Sequence, residues 1–173
     1  MGKIYTQVAR KEYVCTKCGK AIEKKETYKK LVAMYSKPRL ACSNCNFKRS
    51  ETTSSDYLSQ VWDLQDEANV TNEEEAHDVK CVLESIKDEQ QEKLDNIPEQ
   101  LKEAEAGSTL QERIDNLETA INDIESVGWS NEVDIDREDF DSDEEYESAV
   151  EEQKQELITN ACDEVMEILG SID

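Results

Sequence analysis

Two cysteine pairs near the start of the chain constrain its fold more than any other feature. They are Cys15-x2-Cys18 and Cys42-x2-Cys45, and 23 residues separate them. A two-residue spacer lets one tight turn present both sulfurs to the same ion, and four thiolates are a common ligand set of structural zinc sites. Catalytic zinc sites instead keep an open position and use histidine or carboxylate ligands. The sequence therefore predicts one structural zinc ion, with disulfides or thiol chemistry as the alternatives.

The residue after each pair agrees with a turn that carries two metal ligands. Gly19 follows the first pair and Asn46 the second. Glycine and asparagine adopt the left-handed backbone conformation more readily than other residues, and such a knuckle needs that conformation at this point. We therefore expect a left-handed residue at both positions.

The charge of the chain is divided sharply between its two parts. Residues 1–50 contain 13 Lys and Arg against 3 Asp and Glu, whereas residues 51–173 contain 7 against 39. Only 36% of the residues are hydrophobic and 6% aromatic, which favours exposed helices over one large core. We predict a small β zinc ribbon followed by a mainly α region. The predicted domains are a basic ribbon at 1–50, an acidic helical or coiled-coil region at 54–127, an acidic linker at 128–142 and an amphipathic helix at 143–170.

The local patterns place strands before residue 50 and helices after it. Alternating β-formers predict strands at 3–8 and 28–35. The turn at Ser36-Lys37-Pro38-Arg39 leads back through Leu40 and Ala41 into the second cysteine pair, which predicts a short hairpin ribbon that zinc clamps. Helices are predicted to begin at Thr71, with Glu74 completing a capping box, at Ser108, and at Ser142 with Glu145. The apolar residues of the first two helices lie on narrow seams: Ala76, Val79, Leu83 and Ile86, then Leu110, Ile114, Leu117, Ile121 and Ile124. Gln90 interrupts the first seam.

A narrow apolar seam needs a partner helix, because an isolated stripe in water gains nothing from its pattern. Two arrangements satisfy it. One is an antiparallel hairpin of the two helices within the chain, and the other is a homodimeric coiled coil.

The basic ribbon is a candidate nucleic-acid surface. Lysines and arginines neutralise phosphates, and the interleaved tyrosines and Phe47 offer faces for stacking bases. The 39 carboxylates that follow oppose binding of a polyanion, so contact with the chain's own acidic residues is the alternative. The candidate residues are Lys17, Lys20, Lys24, Lys25, Lys29, Lys30, Arg39, Lys48 and Arg49.

The acidic region is a candidate protein-binding surface. Closely spaced carboxylates can imitate a phosphate backbone and bind a basic groove of a nucleic-acid-binding protein. Aromatic side chains nearby could anchor such a partner. The candidates are Trp129, Asp134, Asp136, Asp139, Phe140, Asp141 and Asp143. Solvated helix faces on a tether are the alternative interpretation.

No pattern in the sequence indicates an enzyme. Cys81 and Cys162 lie on or beside apolar stripes, so we expect both to be buried. His77 lies on a charged helical turn, so we expect it to be exposed. No glycine-rich phosphate loop or nucleophile elbow is present. Neither a signal peptide nor an apolar run of about 20 residues is found, so we predict a cytoplasmic protein without membrane contact.

Several motifs together resemble a group of small zinc-ribbon proteins of tailed bacteriophages and prophages. The first is the Cys-Thr-Lys-Cys-Gly-Lys-Ala-Ile run from Cys15, and the second is Cys42-Ser-Asn-Cys45. The third is the Arg49–Asp66 junction, with its Ser-Asp-Tyr-Leu start. The likeness covers roughly residues 13–66. It departs from the group at Lys24-Lys25-Glu26, where Lys-Gly-Asp or similar is expected.

The resemblance implies a phage-type accessory protein without an assigned reaction. Our leading hypothesis is a non-enzymatic protein of the host cytoplasm that binds a basic host protein or nucleic-acid-binding complex, such as a defence system. The alternative is a zinc-ribbon factor that binds nucleic acid or acts in transcription through its basic module. A homodimer is compatible with either.

Overall fold

The computed structural model describes residues 1–33, 37–129, 132–137, 140 and 142–172. It divides the chain into two compact units, Met1–Asp63 and Leu64–Asp173. We call the first the four-cysteine unit and the second the helical unit, and we describe each by itself. Small β-sheets with the cysteines come first and long packed helices follow, so the predicted fold class is confirmed.

The four-cysteine unit contains two antiparallel sheets. Its strands are β1 Lys3–Val8, β2 Tyr13–Val14, β3 Ala21–Ile22, β4 Thr27–Val32 and β5 Arg39–Cys42. The larger sheet has the order β1-β4-β5, and β2 pairs with β3. The predicted strand at 3–8 is confirmed. The strand predicted at 28–35 is observed as β4, and the positions beyond residue 33 that it included lie outside the described residues.

The apolar core of the four-cysteine unit is small. Ile22, Leu31 and Ala41 are almost fully buried beside Cys15, and Tyr28 packs with them. A core of this size gives a unit of about 60 residues only marginal stability, so a bound metal would add substantially to it.

A short 3₁₀ turn, Ser50–Thr52, leads into helix α1, Asp56–Glu67. Tyr57, Val61 and Trp62 are the buried residues of α1. The guanidinium of Arg49 lies 4.1 Å from the centre of the Trp62 ring, and the Ser50 hydroxyl donates to Asp63 at 2.7 Å. These contacts join the start of α1 to the end of the sheet region.

The helical unit consists of α2 Glu73–Asn96, α3 Glu99–Lys102, α4 Glu105–Ser126 and α5 Asp143–Gly170. Helices α2 and α4 pack as the predicted hairpin, and α5 packs against both. The apolar seams account for this pairing, because all but one of their residues are buried, Leu110 being half-buried.

The observed beginning of α2 differs by one residue from the prediction. Asn72 is the N-cap, and its side chain accepts the N–H of Glu75 at 3.0 Å. The Glu75 carboxylate in turn accepts from the backbone N–H and hydroxyl of Thr71, at 2.7 and 2.6 Å. The capping box predicted at Thr71 and Glu74 is therefore wrong. At α5 the predicted cap is confirmed, because Ser142 accepts the N–H of Glu145 at 3.2 Å.

The predicted beginning of α4 at Ser108 is also wrong, since the helix begins at Glu105 after Ala104. Gly107 is buried within the first turn, where a Cβ atom would collide with the backbone carbonyl of Lys102. The glycine therefore serves the close approach of α3 to α4 and not a turn.

Gln90 is the polar exception in the buried seam of α2. It is fully buried, and neither its amide oxygen nor its amide nitrogen has a hydrogen-bond partner among the described residues. At the other end of the unit, the side chain of Gln65 donates to the carbonyl oxygens of Leu169 and Ile172, both at 2.9 Å. Within the described residues, none of the helices has the length and apolarity that a membrane span requires.

Candidate metal centre

The four cysteines of the two pairs come together in one cluster. Their sulfur atoms all lie within 4.8 Å of one another, and those of Cys18 and Cys42 are 3.8 Å apart. Four sulfurs about 2.3 Å from a tetrahedral zinc would be about 3.8 Å apart. The cluster is therefore suited to hold one metal ion, as the spacing of the cysteines predicts.

Backbone hydrogen bonds hold the first knuckle in place. Cys15 donates to the carbonyl of Lys20 at 2.8 Å, and Gly19 donates back to the carbonyl of Cys15 at 2.9 Å. Gly19 has a φ of 71°, so the left-handed residue predicted there is confirmed. Thr16 bonds the knuckle to β5, because its backbone N–H and its hydroxyl both donate to the carbonyl of Leu40.

The second knuckle closes differently from the prediction. Of the residues that the structure describes, only Gly19 and Lys25 have positive φ, so the left-handed conformation expected at Asn46 is wrong. Instead, the ammonium of Lys29 donates to the Asn46 side chain and to the backbone carbonyls of Ser43 and Cys45. The ammonium of Lys29 on β4 thus stabilises the second knuckle, which has no left-handed residue at Asn46.

The thiols have the electrostatics of a cation site. Burial raises the pKa of Cys15, but hydrogen bonds from the backbone N–H groups of Cys42 and Cys18 outweigh it and lower the value to about 6. Hydrogen bonding with the sulfurs of Cys18 and Cys42 raises the pKa of Cys45 to about 12. Neighbouring thiolates repel one another, so four of them at this spacing require a cation to balance their charge.

Glu51 is a residue of this region that the sequence analysis missed. Its carboxylate accepts from Lys17 at 2.5 Å, from Arg39 at 2.8 Å and from the backbone N–H of Lys48 at 2.9 Å. Burial raises the pKa of Glu51, but these partners, Lys17 first, hold it below its usual range. Glu51 thereby joins the first knuckle to β5. The sequence pattern that could have indicated this role is a single acidic residue that follows Lys48, Arg49 and Ser50.

The structure divides the nine nucleic-acid candidates into two groups. Five contact residues of their own unit: Lys17 and Arg39 bind Glu51, Lys29 binds the second knuckle, Lys48 pairs with Asp63, and Arg49 covers Trp62. The side chains of Lys20, Lys24, Lys25 and Lys30 make no hydrogen bond or ion pair with the described residues.

The structure describes five of the seven protein-binding candidates. Trp129 is half-buried and lines a small pocket with residues of α2 and α4, among them His77 and Ile124. Phe140 is half-buried, with its ring 5.8 Å from that of Tyr146. Asp134 and Asp136 are exposed, and Asp143 accepts from Arg137. Asp139 and Asp141 lie outside the described residues.

The two cysteines outside the cluster differ in exposure. Cys162 is buried as predicted, whereas Cys81 is exposed, so its predicted burial is wrong. Its sulfur lies 3.6 Å from Nε2 of His77, one helical turn earlier on α2, and His77 is exposed as expected. The pair has no third ionisable ligand beside it among the described residues. That the chain is not an enzyme stays a prediction.

Comparison with protein families, with curated proteins and with solved structures found no match to this chain. The four-cysteine cluster is consistent with a zinc-ribbon-like site, and the bacteriophage family that its motifs resemble stays an expectation.

Proposed function

We propose that this protein is a non-enzymatic, phage-type accessory protein whose acidic helical region binds a basic host protein, with a zinc ion in a structural role. The exposed charge of α5 carries the proposal. All ten of its acidic residues are exposed, and its one cation is the half-buried Lys154. The acidic residues are Asp143, Glu144, Glu145, Glu147, Glu151, Glu152, Glu156, Asp163, Glu164 and Glu167.

The charge density of α5 approaches that of a nucleic-acid strand. Its 28 residues extend about 42 Å, so ten carboxylates give one charge per about 4 Å. One strand of DNA carries a phosphate per about 3.4 Å. A basic groove shaped for phosphates would release counterions on binding either, which supports the imitation of nucleic acid.

Zinc fits the four-cysteine site better than other common cations do. Thiolate ligands select soft or borderline metals, and four of them around one ion leave no open position for a substrate. Cys15, Cys18, Cys42 and Cys45 would hold the ion. Its role would be to stabilise the small unit that precedes the helices.

Affinity capture with two matched charge variants tests the binding proposal. The first variant neutralises α5 by changing Glu144, Glu147, Glu151, Glu152 and Glu156 to glutamine. The second removes the same charge from exposed positions of α2 and α4 through Asp88→Asn, Glu92→Gln, Glu112→Gln, Glu118→Gln and Asp123→Asn. We expect the unchanged protein and the second variant to capture a basic protein from the host lysate, and the first variant to lose it.

Competition with duplex DNA then tests the imitation. A captured partner that binds α5 in place of phosphates should be displaced by DNA, and capture should weaken as salt is raised. Equal capture by both charge variants, or a partner that binds DNA and this protein together, would contradict the proposal.

The alternative function is binding of nucleic acid by the basic module. It is supported by four lysines whose ammonium groups make no hydrogen bond or ion pair with the described residues: Lys20, Lys24, Lys25 and Lys30. A gel-shift titration against DNA and RNA at two salt concentrations separates the two functions. Salt-sensitive binding by the full-length protein would favour the alternative.

A further inference from the structure

Among the strands that the structure describes, β1 lies at the edge of its sheet. It pairs with β4 on one side only, and all six of its residues, Lys3–Val8, are exposed. Every second backbone N–H and C=O of an edge strand points away from the sheet, and within the described residues no other strand pairs with those of β1. The outer edge therefore has the hydrogen-bonding capacity for one more strand.

Natural edge strands usually carry features that prevent such pairing, among them proline, bulges and charged side chains. Strand β1 has no proline, it pairs with β4 in continuous register, and Lys3 at its start is its single charged residue. Its apolar side chains are large and accessible, since 45% of the surface of Ile4, 45% of Tyr5 and 60% of Val8 are exposed.

The two faces of β1 differ in chemistry. Successive side chains of a strand point to opposite faces, and directly opposed residues of two strands share a face. Ile4, Thr6 and Val8 thus lie on one face, where β1 itself carries no charged residue; Lys29 of β4 stands opposite Thr6, and its ammonium is bonded to the second knuckle. Lys3, Tyr5 and Gln7 lie on the other face, where Lys30 of β4 stands opposite Tyr5. The Lys30 ammonium makes no hydrogen bond or ion pair with the described residues.

A strand that pairs with β1 would meet both faces. One set of its alternate side chains would lie beside Ile4 and Val8, where apolar groups gain contact. The other set would lie beside Lys3, with Lys30 one strand further away, about 9.6 Å across the sheet, a distance that an extended lysine and glutamate bridge together. Carboxylates gain favourable charge pairs on this face. Because neighbouring side chains alternate between the faces, the matching sequence alternates acidic and apolar residues.

We propose that the outer edge of β1 binds an extended acidic peptide of a partner protein as an added β-strand. Backbone hydrogen bonds to β1 supply affinity, and the alternation of acidic and apolar side chains supplies specificity. This surface belongs to the four-cysteine unit and is distinct from the acidic face of α5, so the two proposals can succeed or fail separately.

The test uses the full-length, zinc-loaded protein and a fluorescein-labelled decapeptide of alternating glutamate and valine. Binding is followed by fluorescence anisotropy. We expect saturable binding that falls at least tenfold in the double variant Ile4→Lys, Val8→Lys. These lysines block the edge and remove its apolar contacts, yet they add positive charge, so purely electrostatic binding would become tighter.

Two further variants and one peptide serve as controls. Val14→Lys changes a residue of β2 that is 62% exposed, and it should leave binding unchanged. Lys3→Gln with Lys30→Gln should weaken binding several-fold. A decapeptide methylated at every backbone nitrogen cannot donate to the edge and should not bind. Zinc content and circular dichroism confirm that each variant is folded.

Three results would overturn the proposal. The first is equal or tighter binding of the peptide by the Ile4→Lys, Val8→Lys variant. The second is a single-stranded DNA decamer that outcompetes the peptide, which would assign the surface to nucleic acid. The third is a dimer in light scattering that the same double variant abolishes, which would assign the edge to a second copy.

Discussion

The four-cysteine unit and the helical unit differ in how their side chains are held together. In the first, strands of two to six residues surround a few buried apolar side chains and four clustered thiols. In the second, helices of 22 to 28 residues bury seams rich in leucine, isoleucine and valine, with Gln90 as a polar exception. One chain therefore combines a unit suited to stabilisation by a bound ion with one stabilised by apolar packing. Each unit can therefore be perturbed while the other serves as an internal reference.

Removing two cysteine ligands should have the largest effect. We expect Cys15→Ser with Cys42→Ser to release the metal and unfold the four-cysteine unit, since structural zinc contributes about 10–16 kcal/mol in finger peptides. The helical unit should keep most of its signal at 222 nm. Metal analysis with circular dichroism measures both, and Cys81→Ser is the control because Cys81 is outside the cluster. Unchanged resistance of residues 1–63 to proteolysis would contradict a structural metal.

Truncating the seam tests the opposite unit. Leu83 is fully buried, and Leu83→Ala should lower the free energy of unfolding of the helical unit by about 2–5 kcal/mol. Val82→Ala on the same helix should change it by less than about 0.5 kcal/mol, because Val82 is 43% exposed. Urea unfolding followed at 222 nm measures the difference. Loss of bound metal in the Leu83→Ala variant would show that the two units are not independently stabilised.

Burial in the hairpin could be predicted from the sequence because apolar spacing records which helix face is covered. The same spacing could not locate helix ends. Thr71 and Asn72 are adjacent polar residues, each followed by a glutamate three positions later, and the choice between them depends on the contacts of Glu75. Gly107 directly precedes the predicted beginning at Ser108, yet it lies inside the helix, where a Cβ atom would collide with the backbone of Lys102.

The metal cluster could be predicted because cysteine spacing directly encodes two knuckles. Its supporting residues could not, because they meet across the fold. Lys29 on β4 donates to the second knuckle. Glu51 forms ion pairs with Lys17 in the first knuckle and with Arg39 on β5. Neither contact leaves a local pattern, and both involve candidates that sequence analysis assigned to nucleic-acid binding.

Replacing the buried amide of the seam should stabilise the helical unit. An unpaired buried amide costs about 1–3 kcal/mol, so Gln90→Leu should raise the free energy of unfolding by roughly that amount. Gln91→Leu is the control, because Gln91 is exposed and its side-chain amide donates to Asp95 on the helix surface. Chemical unfolding compares the two. Destabilisation by Gln90→Leu would show that a buried water or another partner satisfies the amide.

The smallest effect is expected at a turn of the four-cysteine unit. Lys25 has a φ of 79°, a left-handed conformation that disfavours residues with a Cβ atom. Lys25→Gly should therefore stabilise this unit by about 0.5–1 kcal/mol. A chelator competition that follows metal loss measures the gain, and Lys24→Gly should show none. Easier loss of metal to the chelator in Lys25→Gly would mean that the lysine side chain stabilises the turn.

The exposure of Cys81 has a practical consequence for all of these measurements. Of the six cysteines, four are clustered and Cys162 is buried, so Cys81 on α2 is the accessible thiol outside the cluster. In metal-loaded protein a maleimide dye should attach there selectively. A single fluorophore on the helical unit would then report the binding of a partner in real time, with the four-cysteine unit left chemically unmodified.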